Sequence, residues 1–319
     1  MVRVGVNESI DKTLLKDFTR EVQLVWVPDE PQGKIEVDFW IPLSHPKKVP
    51  GQWPHLKGVR VVQAPWAGVD LLRHVFPPEV ILCDARGVHD IPTAEWAVAA
   101  VLAMQKYLPF YVEVQEYGDW TRRLQAREIY RLSHGEDASP PALVDEVADT
   151  TILIVGYGSI GQAIEARLAP FGARFLRVAR SPREGVEGVN KLDELLGQAD
   201  IVVLITPLTS ETRHLLDARR LAKMKPGALL VNAARGAIVD TDALLQALNE
   251  KRIRAAIDVT DPEPLPLGHP LWKAPNLLIT PHVAGDSAKF MKRVLIFASA
   301  QAARFARGET LLNIVTGEY

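Results

Sequence analysis

Cysteine is almost absent from this chain of 319 residues, which has only Cys83. That excludes an internal disulfide and a zinc site built from several cysteines, and it leaves Cys83 as a small buried residue of structural use. No metal centre is expected. An excess of charge of either sign is also missing. The 37 Lys and Arg against 39 Asp and Glu give a formal net charge of -2, interspersed along the chain, with no basic face for nucleic acid or an anionic membrane. No apolar run approaches the roughly 20 residues of a membrane span. The N-terminus passes directly into a short strand pattern, and a cytoplasmic protein with small, soluble partners is expected. The length exceeds that of most single compact domains, and two domains are the default.

What is present is organised around VGYGSIGQ at residues 155–162. Gly156, Gly158 and Gly161 have the G-x-G-x-x-G spacing, with Tyr157, Ser159 and Ile160 between them. An apolar, β-branched run at 151–155 precedes the glycines, and Ala163, Ile164, Ala166 and Leu168 follow at helical spacing. Strand, tight turn and helix form the context in which glycines let backbone N–H groups approach a pyrophosphate at a helix N-terminus.

On either side the chain alternates short strand patterns with helical ones. Before the glycines, strands are expected at 2–6, 22–27, 37–41, 59–63 and 80–83; after them, at 175–178, 201–205, 228–232, 255–259 and 277–279. The prolines at 42, 46, 50 and 54 predict an irregular surface loop. Residues 92–117 read as a long, mainly apolar helix, with Thr93 as N-cap and Pro109 as a kink or end. A helix apolar on nearly all sides must be buried between domains or subunits, which predicts a homodimer. Residues 118–149 read as a polar arm, and 287–305 as one amphipathic helix.

Three further stretches fall at the ends of predicted strands, where open α/β sheets bind ligands: VNAARGAIVD (231–240), AIDVTDPEPLP (256–266) and TPHVAG (280–285). With the glycine turn, in this order, they closely resemble the D-2-hydroxyacid dehydrogenases, from about residue 60 to the tail at 308–315. The resemblance implies two Rossmann-like, doubly wound parallel-sheet α/β domains: a discontinuous substrate domain (1–100 plus 284–319) and an inserted dinucleotide-binding domain (101–283). It also implies site residues. Arg235 is the substrate-binding arginine, Glu263 the carboxylate partner of the histidine, and His282 the general acid/base. Asp258 would meet the nicotinamide carboxamide and Thr93 the nicotinamide ring, with Thr206, Pro207 and Ala233 among the other cofactor contacts. The backbone of Ala67 and Gly68 would hold the substrate carboxylate beside Trp66, which would narrow the pocket.

The chemistry also follows from the residue types. Reducing a 2-keto acid requires a hydride donor, a proton for the developing alkoxide, and a cation that polarises the carbonyl and anchors the carboxylate. A carboxylate beside a histidine favours imidazolium and keeps a proton available near neutral pH. Arginine supplies the planar fork that a carboxylate fits. The other histidines, His45, His55, His74, His89, His134, His214 and His269, have no such setting and read as surface or structural residues.

One expected residue is missing. NAD-binding proteins of this type place an acid at the end of the second strand, about 20 residues beyond the glycines. Here the chain runs through Arg180, Ser181 and Arg183, which suits a 2'-phosphate, so NADP(H) is expected to be preferred with NAD(H) possible. Glyoxylate or hydroxypyruvate is the expected type of keto acid. Related formate dehydrogenases carry glutamine where Glu263 stands, which speaks against that activity. The alternative is an NAD(P)H-binding redox sensor, like the related transcriptional corepressors.

Overall fold

The computed structural model describes residues 1–317, which cluster into two compact units. The first comprises Met1–His89 together with the chain from Ser287 onward, and the second is Asp90–Asp286. In the first unit, β1 (Val2–Asn7), β2 (Val22–Val27), β4 (Phe39–Trp40), β6 (Val61–Gln63) and β7 (Ile81–Cys83) form a parallel sheet in the order β2-β1-β4-β6-β7. β3 (Ile35–Glu36) and β5 (Leu56–Lys57) pair separately. The proline segment is not irregular. It folds as consecutive short helical turns, Pro46–Lys48, α1 (Val49–Gln52) and Trp53–His55, each with proline at its first or second position, where the missing N–H costs no helical bond. Val49 and Gln52 anchor these turns in the interior. Burial pushes the Cys83 thiol up to about 12, as expected of a structural cysteine.

The second unit begins with α2 (Asp90–Gln105), α3 (Leu108–Tyr117) and α4 (Ala126–His134). Residues 92–117 are therefore two helices, broken where Tyr107 takes a left-handed φ of 52°. Thr93 is not an N-cap; it is buried in the first turn of a helix that already starts at Asp90. α2 packs along α5 (Ser159–Leu168) through Ala94, Ala97 and Val101. α3 has no buried residue. The polar arm contains α4 and a 3-10 turn at Trp120–Gln125; Ser133 Oγ donates to Gly227 O at 3.0 Å and Asp145 N to Gln105 O at 2.8 Å.

The sheet of this unit is built from β8 (Thr151–Val155), β9 (Arg174–Ala179), β10 (Glu187–Gly188), β11 (Ile201–Leu204), β12 (Leu229–Asn232), β13 (Arg254–Ile257) and β14 (Leu277–Ile279). All pairings are parallel, in the order β10-β9-β8-β11-β12-β13-β14. Because the side-chain period of a strand is two, its central strands feed two cores. Leu153, Val155, Val202, Leu204 and Leu230 enter one, packed with α6 (Leu192–Leu196), α7 (Ala218–Leu221) and α8 (Thr241–Asn249). Ile152, Ile154, Ile201, Val203 and Val231 enter the other, against α2 and α5.

The chain returns to the first unit in α9 (Phe290–Arg307), and its tail bonds along β7, with Val315 N donating to Leu82 O at 2.9 Å. The units divide at 89/90 and 286/287 rather than at 100/101 and 283/284; the first division keeps α2 in one unit with α5, against which it packs. Among the described residues no helix is long and apolar enough to cross a membrane.

Candidate active site

In the second unit the strand order sets the order of the site. The chain segments that leave the C-terminal ends of neighbouring strands carry, in sequence along the sheet, Arg180–Arg183 after β9, the glycine turn after β8, Thr206–Pro207 after β11, Ala233–Arg235 after β12, Asp258 after β13 and His282 after β14. With strands about 4.8 Å apart, that rim runs roughly 24 Å.

The glycines do three different jobs. Gly156 has φ +104°, and a Cβ there would lie 2.5 Å from Ile205 O, so the turn can lie against the end of β11 only without a side chain. A Cβ on Gly161 would meet Gly156 O at 2.9 Å, which lets α5 start directly on the turn. Around Gly158 nothing lies within 4 Å of such a Cβ, leaving space for a ligand to reach the backbone. The leading amides of α5 have no intrahelical acceptor and form the positive end of the helix dipole. A dinucleotide phosphate fits this cradle.

The basic turn after β9 is held close to the glycines. Arg183 Nη2 donates to Tyr157 O at 2.6 Å, and its guanidinium lies 5.7 Å from the Tyr157 ring centre. Arg177 Nε donates to Glu165 Oε2 at 2.6 Å, and that bond holds Glu165 below the usual carboxylate range. Arg180 and Ser181 are exposed. No carboxylate stands at 179–183.

Arg235 follows a turn shaped by buried Asn232, whose Oδ1 accepts from Ala234 N and whose Nδ2 donates to Arg235 O, each at 3.0 Å. Next in the chain, a Cβ on Gly236 would lie 2.0 Å from the Thr260 carbonyl, so glycine allows this turn to lie directly on the segment leading to Glu263. His282 Nδ1 and Glu263 Oε1 lie 2.6 Å apart, both side chains partly exposed. Glu263 is held below its usual range first by that bond to His282, opposed by burial, with smaller help from the charges of His282 and Arg235.

Asp258 is almost fully buried and ties the His282 loop together. Its Oδ1 accepts from Thr280 Oγ1 at 2.5 Å and Val283 N at 2.9 Å, and its Oδ2 accepts from Ala284 N at 2.8 Å. The backbone carbonyl of Asp258 accepts from His282 N at 2.7 Å. Held this way, His282 adopts a left-handed φ of 56°. The positioning roles of Asn232 and Asp258 have no sequence signal beyond a polar residue at a strand end.

Trp66, Ala67 and Gly68 belong to the first unit, in the turn after β6. Trp66 is partly buried against the cluster containing Trp40 and Val62, and its carbonyl accepts from Ala85 N at 2.9 Å. Of the other histidines, His45 and His269 cap short helical turns through Nδ1, accepting from Lys47 N and Leu271 N at 3.2 Å.

Residues 99–284 match the family described as D-isomer specific 2-hydroxyacid dehydrogenase, NAD binding domain. A glyoxylate reductase from Aeropyrum pernix is 34% identical over 245 residues, 75% of this chain and 70% of that protein. Among solved structures, a D-isomer specific 2-hydroxyacid dehydrogenase from Xanthobacter autotrophicus Py2, in complex with NADPH and MES, has a TM-score of 0.78 at 28% identity, covering 99% of this chain and 98% of that one. An NADPH-dependent glyoxylate/hydroxypyruvate reductase from Sinorhizobium meliloti, in complex with NADP and sulfate, also has a TM-score of 0.78, at 25% identity over 99% of this chain and 98% of that one. The chain belongs to the D-isomer specific 2-hydroxyacid dehydrogenases. It is an NAD(P)-dependent oxidoreductase of that family, acting on 2-hydroxy or 2-keto acids.

Proposed function

We propose that this chain is an NADP(H)-preferring reductase of small 2-keto acids such as glyoxylate or hydroxypyruvate, with His282, Glu263 and Arg235 as its catalytic residues. The observation that carries the assignment is the 2.6 Å contact of His282 Nδ1 with Glu263 Oε1, beside the turn that bears Arg235. An ionised Glu263 accepts from Nδ1, which leaves Nε2 to face the substrate. Nε2 of the imidazolium then protonates the oxygen of the reduced carbonyl. Arg235 anchors the substrate carboxylate and polarises the carbonyl, a task that suits its planar fork. The cradle at Gly156–Gly161, with Thr206, Pro207, Ala233, Asp258 and Thr93, would hold the dinucleotide, whose contribution is a hydride for the keto carbon.

NADP(H) preference rests on Arg180, Ser181 and Arg183, where an acid would repel a 2'-phosphate. Both solved relatives described above carry NADPH or NADP, which supports the same reading. Trp66, with Ala67 and Gly68, would border the carboxylate end and favour a small substrate side chain.

Replacing Arg235 by lysine tests the catalytic assignment. We expect kcat/KM for glyoxylate to fall about 100-fold or more, while the Kd for NADPH stays within about threefold. Loss of both together would make the arginine structural.

The half-exposed stripe of Leu108, Val112, Tyr117 and Trp120, from 50% to 77% accessible, supports the homodimer expected from the sequence. Light scattering at micromolar concentration should give twice the chain mass, and a monomer would remove that assignment.

A further inference from the structure

The hydroxyl of Ser159 donates to Oδ1 of Asp90 at 3.0 Å. Ser159 opens α5, the helix whose leading amides were assigned above to the cofactor diphosphate, and Asp90 opens α2, which packs along it. Asp90 is half-buried and Ser159 exposed. A carboxylate therefore stands beside the cradle meant for an anionic ligand. The N-terminus of its own helix stabilises it there.

Resting on the assignment of the glycine turn to the diphosphate, we propose that Asp90 is an affinity-setting residue of the dinucleotide site. Its carboxylate and a phosphate oxygen accept the same Ser159 proton, so the ligand has to displace the Asp90–Ser159 bond. The two are also like charges at short range. Asp90 thus weakens binding of NADPH and NADH equally, because the diphosphate is common to both. Arg180 and Arg183, by contrast, act on the adenosine end, where the two cofactors differ.

The test is titration of NADPH and of NADH, followed by nicotinamide fluorescence, into the full-length protein and its Asp90→Asn, Ser159→Ala and double variants. Asp90→Asn keeps the side-chain shape and should bind both cofactors about five- to tenfold more tightly, a gain that shrinks as salt is raised. Asp90→Ser, a shorter side chain without charge, should give a similar gain. In the Ser159→Ala background the gain should fall to about twofold, since only the charge term remains. Unchanged or weaker binding of both cofactors by folded Asp90→Asn and Asp90→Ser overturns the proposal. A wild-type protein that binds neither dinucleotide overturns the site assignment itself, which separates that failure from a variant that merely matches a binding-competent wild type.

Discussion

His282 works from a backbone conformation that costs a non-glycine residue about 1–2 kcal/mol, and the network around Asp258 holds it there. Its partner Glu263 has a lowered folded-state pKa, so the contribution of the pair to stability is present above the usual glutamate value of 4.5 and is lost as pH falls through the lower folded value. Urea unfolding of the wild type and of Glu263→Gln at several pH values checks this. The difference between them should stay constant from pH 7 to about 5 and close as pH falls below about 4; a gap that widens in acid contradicts it. Arg235, Glu263 and His282 are legible in the sequence because each lies in a motif with fixed neighbours. Asp90 and the loop-binding role of Asp258 are not, because what they do depends on donors far along the chain, and Asn232 acts locally but looks like any polar residue at a strand end. Asp258 collects hydrogen bonds from 22 to 26 residues away. Thr93 looks like a cap, but Asp90 begins the helix and Pro92 falls where its first turn accepts proline.

Among the elements, the two turns that build the site depend on contacts a side chain would prevent. Gly236→Ala places a Cβ against the Thr260 backbone, which cannot swing aside as a side-chain end can. The variant should lose about 1–3 kcal/mol, a Tm lower by roughly 2–10 °C, and most activity through displacement of Arg235. Gly51→Ala, with nothing within 4 Å of the new Cβ, should leave both unchanged, and equal melting of the two variants contradicts the role given to the close contact. Strands such as β2, β8 and β14 are readable to the residue because their apolar, β-branched runs are bounded by polar or glycine-containing segments. α4 escapes such reading, since it has a single buried residue, Ala126. The break at Tyr107 is announced by Pro109, which stands in the first turn of α3, but its left-handed residue is not. The proline segment misleads for a different reason, since prolines that open successive short turns look the same in sequence as prolines that prevent helices.

Across the whole molecule, the two parallel sheets and the return of the chain to its first unit follow the family pattern, while the unit boundaries follow packing and move to the ends of α2 and α9. The second unit carries the His282–Glu263 pair, Arg235 and the glycine turn along one edge of one sheet. The most direct measurement is the initial rate of NADPH and NADH oxidation with glyoxylate, hydroxypyruvate, pyruvate and a bulkier branched keto acid. Saturable turnover is expected with the small keto acids, with a higher kcat/KM for NADPH than for NADH and a decline as the side chain grows. A higher kcat/KM with NADH would contradict the role given to Arg180 and Arg183. Tight cofactor binding without turnover of any of these acids would contradict the proposed reaction.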